Sequence, residues 1–233
     1  MKRNALIVVA SLATAAWAGP AAAQSGAVAA AGSSAATNVA KFAAGKDYEL
    51  LTPAQPTVGD AGGGKVEVAE VFMFGCPHCA AFEPRLKDWL EKAPGYVSFV
   101  RIPAVWNAIA ELHARAYYTA EALGKTAEID GPFFAEIHVK HNMLDSEDKL
   151  AAFFAQFGVD DKKFRNTFES FAIDAKVSRA QDLVKRYKVP GTPAIVVAGK
   201  YLTNGAMAGS YESWFAIVEE LAAKEHAPPS PAK

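Results

Sequence analysis

The chain has 233 residues, 51% of them hydrophobic and 21% charged, with a net charge of −1. That balance excludes a disordered polyelectrolyte and leaves no basic surplus for holding nucleic acid. Past the N-terminus no uninterrupted run of about 18 apolar residues offers a membrane span, and the length suffices for one substantial core.

Lys2 and Arg3 open the chain, and Ala5 to Trp17 form a short apolar stretch closed by Gly19-Pro20. Ala21-Ala22-Ala23 then precede Gln24, so residues 1–23 read as a secretory signal peptide cut after Ala23 rather than an anchor helix. No cysteine lies near the cut, which excludes a lipoprotein. Cleavage removes two of the 24 basic residues and no acidic one, taking the net charge from −1 to −3. Export to a bacterial periplasm is expected, where disulfides persist. Residues 24–46 are rich in Ala, Gly and Ser and read as a flexible linker.

Tyr48 to Leu51 read as a short strand, and a Pro/Gly-rich loop follows. Lys65 to Phe74 (KVEVAEVFMF) read as a strong strand with β-branched and aromatic residues on both faces, as a central buried strand requires. A helix is predicted from Pro77, suited to a first helical position, to about Lys92, with a bend at Pro84. Tyr96 to Ile102 form a second strand, which completes a βαβ unit. Helical spacing then links Ile109, Leu112, Ala116, Ala120 and Leu123, and recurs at Leu150, Phe153, Phe154 and Phe157. Further helices are predicted over Asp130 to Lys140, around Phe164, Phe168 and Phe171, and from Ile173 to Tyr187. Their aromatic stripes read as core. Strands at Ala194 to Ala198 and Lys200 to Leu202 turn through Gly199, and Tyr211, Trp214, Phe215, Val218 and Leu221 mark a last amphipathic helix. The fold class is therefore α/β, βαβ then ββα. Residues 47–104 and 189–224 form one domain, 105–188 an all-helical insertion, and 225–233 a loose tail.

The chain's two cysteines, Cys76 and Cys79, sit three apart. So small a loop gains little from closure, which points to chemistry rather than reinforcement. Cys76 falls at a strand's end and a helix's N-terminus, where unpaired N–H groups and the positive dipole end favour a thiolate. Pro77 and His78 lie between the two sulfurs, and His78 adds a donor or a cation. A low-pKa thiol is a good leaving group, so a disulfide between Cys76 and Cys79 is easily reduced and oxidises its partner. Cys79, one helical turn on, faces the same side and resolves mixed disulfides on Cys76. The rivals are a zinc site drawing on His138 and His141 and a structural disulfide. Glu70, on the face of Phe72 and Phe74, is either hydrated at an edge or a proton acceptor and electrostatic tuner beneath Cys79. Glu83 reads as a solvated helix residue. His113, His138 and His141 fall in helical segments and read as surface or core residues. Pro193 suits the first residue of a strand. The low frequency of cis X-Pro bonds leaves it trans on sequence alone.

The run VFMFGCPHC, the order βαβ–helices–ββα and the VPGTPA before the next strand together resemble the DsbA family of periplasmic thiol:disulfide interchange proteins. The resemblance spans about Asp47 to Lys224 and implies a thioredoxin-like fold interrupted by a helical domain. It implies that Cys76 is the attacked sulfur, that Cys79 resolves, and that Pro193 is cis against the disulfide. Thr192 is implied to offer backbone hydrogen bonds to an extended substrate. Glu70 matches that family's buried acid, whose usual lysine neighbour is replaced here by Arg101 as the nearest candidate cation. The implied activity is oxidation of newly exported, unfolded proteins with free cysteines, with reoxidation by a quinone-linked membrane partner of the DsbB type. No cofactor beyond the Cys76–Cys79 disulfide, no metal and a monomer are expected. An isomerase or reductase on the same fold and a non-enzymatic binding module are the alternatives.

Overall fold

The structure, a computed structural model, describes residues 41–59 and 61–227. The expected signal peptide and most of the expected linker lie outside the described residues. The elements, in chain order, are β1 (Glu49–Leu50), β2 (Val66–Phe72), α1 (Pro77–Leu90), β3 (Val97–Pro103) and α2 (Ala108–Ala122). Then come α3 (Thr126–His138), α4 (Glu147–Ala155), α5 (Asp161–Phe168), α6 (Phe171–Arg186), β4 (Ala194–Val197) and β5 (Tyr201–Asn204). Two helices close the chain, α7 (Gly205–Ala208) and α8 (Tyr211–His226).

The strands form one mixed sheet in the order β1-β5-β4-β2-β3. β2 pairs in parallel with β3 and antiparallel with β4, so it is central and every one of its residues is buried. Alternation along each strand splits its side chains between two faces. On one face Val66, Val68, Ile195 and Val197 pack against Phe82 and Leu86 of α1 and Trp214, Ile217 and Val218 of α8. On the other, Ala69, Val71, Ala194 and Val196 join a core with Val177, Ala180 and Val184 of α6. That second core runs on into the helices between β3 and β4, through Phe133, Phe154 and Phe164. The turn from β4 to β5 requires Gly199. Its φ is +64°, and a Cβ there would lie 2.1 Å from the Gln55 carbonyl oxygen.

Several expectations need correction. Residues 41–46, placed in the loose linker, are held: the backbone N–H groups of Lys41 and Phe42 donate to the Glu220 carboxylate, and Ala44 bridges Tyr48. The tail expected from residue 225 is still helical to His226, whose ring stacks on Tyr96 at 4.2 Å. β2 stops at Phe72 rather than Phe74. α3 begins at Thr126 rather than Asp130, because Gly131 and Pro132 lie on its exposed side, where a missing N–H is tolerated. It also ends at His138, which leaves His141 outside the helix with a φ of 56°. α7 was not foreseen; Asn204 caps it by accepting from the N–H groups of Ala206 and Met207.

Phe82 is fully buried and stacks on Trp214 at 4.7 Å and Phe215 at 5.5 Å. Phe82→Ala is expected to cost about 3–5 kcal/mol, seen as a lower urea midpoint at unchanged slope. A loss under about 1 kcal/mol would show that this face is not a close-packed core.

Candidate active site

β2 and α1 meet in the turn Met73-Phe74-Gly75-Cys76, closed by the Cys76 N–H donating to the Met73 carbonyl at 3.1 Å. Cys76 is the N-cap of α1, in extended conformation, and Pro77 occupies the first turn. Five other helices open on a side chain that accepts from their first turn: Asn107, Ser146, Asp160, Asn204 and Ser210. The neutral Cys76 thiol makes no such capping bond. Both cysteines are unpaired thiols here; Cys76 is 9% exposed and Cys79 1%.

The surroundings treat the two sulfurs in opposite ways. Cys76 is pulled down to about 5 from an ordinary value of 9.0. The hydrogen bond from the Cys79 thiol is the main cause, burial opposes it, and the Thr192 side chain and the N–H groups of Cys79 and His78 assist. As a thiol, Cys76 also donates to the Thr192 carbonyl at 3.3 Å. That contact favours the protonated form, but it is one acceptor against several donors. Cys79 is pushed far above the ordinary thiol range, first by its bond to Cys76 and then by burial, with the Glu70 charge adding to it. One sulfur of the pair is thus an anion at neutral pH and the other holds its proton.

The Thr192–Pro193 peptide bond is cis, which sequence statistics alone did not indicate. Pro193 and Thr192 line a groove of about 460 Å³ together with the exposed His78 and the half-buried Tyr211. A second hollow of about 360 Å³ lies across Gly75, lined by Met73, Ile109 and Met143. Ile109, Met143 and Trp106 are exposed, so apolar surface flanks the turn.

Glu70 is not a hydrated edge residue. It is 1% exposed, and its register partner on β3 is Arg101. Arg101 Nε donates to Glu70 Oε2 at 2.8 Å, Nη1 to Asp130 Oδ2 at 3.1 Å, and Nη2 to Glu83 Oε2. Burial pushes Glu70 up to about 7 against the pull of Arg101, with the Glu83 charge adding to the rise. Asp130 is raised to about 6, again chiefly by burial against the pull of Arg101. Burial opposes the Arg101 charge too, but the three carboxylates outweigh it and hold the guanidinium protonated. Glu83, read from sequence as solvated, belongs to this cluster. Asp130 was not singled out at all, since an acid inside an amphipathic helix carries no pattern of its own. His138, a possible zinc ligand on spacing, instead has Nε2 at 2.7 Å from the Phe74 carbonyl. Among the described residues no group of His, Cys, Asp and Glu gathers as a metal ligand set.

A central strand leading into a helix that opens on C-x-x-C, with the carbonyl preceding a cis proline 3.3 Å from the first sulfur, defines a thioredoxin-like redox protein, and the Thioredoxin family model matches residues 52–220. The chain is 39% identical over 186 residues to the thiol:disulfide interchange protein DsbA of Pseudomonas aeruginosa, covering 80% of this chain and 87% of that one. Crystal structures of P. aeruginosa DsbA (TM-score 0.74, 38% identity, 79% of this chain and 94% of that) and of the oxidoreductase DsbA from Xylella fastidiosa (TM-score 0.74, 30% identity, 80% and 99%) share its fold. The chain belongs to the DsbA family of thiol:disulfide interchange proteins and is a protein disulfide oxidoreductase.

Two pH dependences follow. For Cys76 the folded value lies below the unfolded one, so its stabilisation is present above pH 9.0 and lost as pH falls through about 5. The disulfide form has no such group. The stability of the reduced protein relative to the oxidised one should therefore rise between pH 5 and 9, measured by urea unfolding of both forms. Glu70 has the opposite sign: raised from 4.5 to about 7, it makes folding less favourable as pH climbs through that window. Glu70→Gln should flatten this decline and leave stability below pH 4.5 nearly unchanged; an unaltered profile would mean that Glu70 is not a buried, titrating carboxyl.

Proposed function

We propose that Cys76 is the sulfur attacked by substrate and that the Cys76–Cys79 disulfide is handed to exported proteins. The observation that carries this is the opposite treatment of the two sulfurs, one held as an anion and the other as a thiol. A substrate thiolate attacks Cys76, the Cys76–Cys79 bond breaks, and Cys79 leaves with the electron pair. Cys79 is a poor anion, so it takes up a proton, and Glu70, partly protonated near pH 7, is the group assigned to supply it. The second substrate thiolate then attacks its own mixed-disulfide sulfur and expels Cys76 as a stable thiolate. The substrate is oxidised by two electrons and the protein reduced by two.

Pro77 and His78 tune the pair, Pro77 by fixing the first turn and His78 through its N–H. Thr192, beside Pro193, offers its backbone to an extended chain in the groove, and the apolar surface across Gly75 suits unfolded segments. No cofactor beyond the disulfide enters the scheme. The assigned setting is the periplasm, reached through the signal peptide and cleavage after Ala23. Reoxidation falls to a quinone-linked membrane partner of the DsbB type, and the protein works as a monomer. No described helix is long and apolar enough to cross a membrane.

Cys76→Ser should abolish oxidation of a reduced unfolded protein, whereas the lone Cys76 thiolate of Cys79→Ser, attacking a substrate that already holds a disulfide, should stall as a mixed disulfide visible on a non-reducing gel because no second thiol displaces it. A redox titration that finds the pair no more oxidising than glutathione would overturn the oxidase assignment. Efficient refolding of a scrambled substrate together with such a potential would favour the isomerase.

A further inference from the structure

We propose that His138 is a positioning residue for the redox centre, holding the Cys76 turn through the Phe74 carbonyl. The proposal rests on the redox reading above. Phe74 stands two residues before Cys76 and is 1% exposed. β2 has ended at Phe72, whose carbonyl accepts from the Ala104 N–H, the residue just past β3. The Phe74 carbonyl therefore lies beyond the ladder, and a buried carbonyl needs a donor from elsewhere. The last residue of α3 supplies it. His138 Nε2 lies 2.7 Å away, and because a carbonyl brings no proton, Nε2 carries one and donates it.

The same helix also grips the Phe74 ring. Phe133 stacks on it at 4.0 Å, Phe134 meets it edge-on at 5.0 Å, and the His138 ring lies close to parallel with Phe134. Phe74 is thus fixed at both ring and carbonyl by α3, and only the exposed Gly75 separates it from Cys76. The donors that favour the Cys76 anion come from several directions: the Cys79 thiol, Thr192, and the N–H groups of Cys79 and His78. Hydrogen bonds weaken steeply with misalignment, so a small rotation of the turn loosens several of them at once. His138 touches neither sulfur. Its effect on Cys76 passes entirely through the backbone.

The test compares the wild type with His138→Leu, which removes the donor, and His138→Gln, which keeps an N–H of similar reach. Thiolate absorbance of the reduced proteins is followed against pH, and the rate of disulfide transfer to a dithiol peptide is measured. His138→Leu should raise the Cys76 midpoint and change the transfer rate by about three- to tenfold, the scale of one hydrogen bond. His138→Gln should restore both to within about twofold. A folded His138→Leu protein with an unchanged midpoint, or a His138→Gln protein as impaired as His138→Leu, overturns the proposal. Should His138→Leu not fold, the imidazole nitrogen spectrum of the wild type decides. A slowly exchanging proton on Nε2 supports the contact, and an Nδ1–H tautomer refutes it. If the wild-type Cys76 itself titrates as an ordinary thiol, it is the oxidase reading that fails, before any variant is compared.

Discussion

The structure turns on a helix whose N-terminus is finished only when a sulfur is charged. A neutral thiol is a weak acceptor, so the first-turn N–H groups of α1 and its positive dipole end have no strong partner while Cys76 keeps its proton. As a thiolate, the same atom does for α1 what Asn107 and Asp160 do for α2 and α5. A disulfide sulfur cannot carry that charge. Reduction therefore completes the helix, and oxidation removes its cap. This bias, more than any property of a substrate, makes the bridge one that is readily given away. Pro77 fits the same logic, since it contributes no N–H to a turn already short of acceptors.

Beneath this turn lies an arrangement that is poor at stabilising a fold and well suited to holding a proton. One guanidinium serves three carboxylates in a nearly closed space, so full ionisation would leave excess negative charge in the interior. Glu70 and Asp130 respond by titrating close to neutrality. The use of Arg101 follows from the geometry. Its three nitrogens each address a different acid, Nε to Glu70, Nη1 to Asp130 and Nη2 to Glu83, whereas a lysine would bring a single nitrogen to the same point. The guanidinium also lies over the Phe72 ring, 5.2 Å from its centre, which helps to seat it.

What could be read from the sequence was what depends on near neighbours in the chain. The strand VEVAEVF, its break at Gly75 and the C-P-H-C at a helix start are local patterns, and the acidity of Cys76 follows from them directly. Glu70 was legible as an anomaly, a carboxylate in an apolar strand, but its partner was not. Register across β2 and β3 sets Glu70 against Arg101, and register is a tertiary fact. Pro193 shows the limit in another way: the residue was visible, but its peptide geometry was indicated only by resemblance. Residues 41–46 were misread because their composition is that of a linker. What holds them is Glu220, 179 positions further along the chain from Lys41.

The helices between β3 and β4 looked from sequence like a core of their own, and one face of α3 shows why that reading was incomplete. Asp130, Phe133, Phe134, Ile137 and His138 recur at helical spacing, the stripe an amphipathic helix turns inward. By composition this is ordinary packing. In the structure its first member binds Arg101, its middle members clasp the Phe74 ring, and its last meets the Phe74 carbonyl. A single stripe thus reaches the redox centre twice, once through the charge beneath Cys79 and once through the backbone leading to Cys76. A helix that served only to cover the sheet would need no charge at one end of that stripe and no donor at the other. The polar ends of this stripe therefore tie the helical block to the two sulfurs, and its aromatic middle packs between the two contacts.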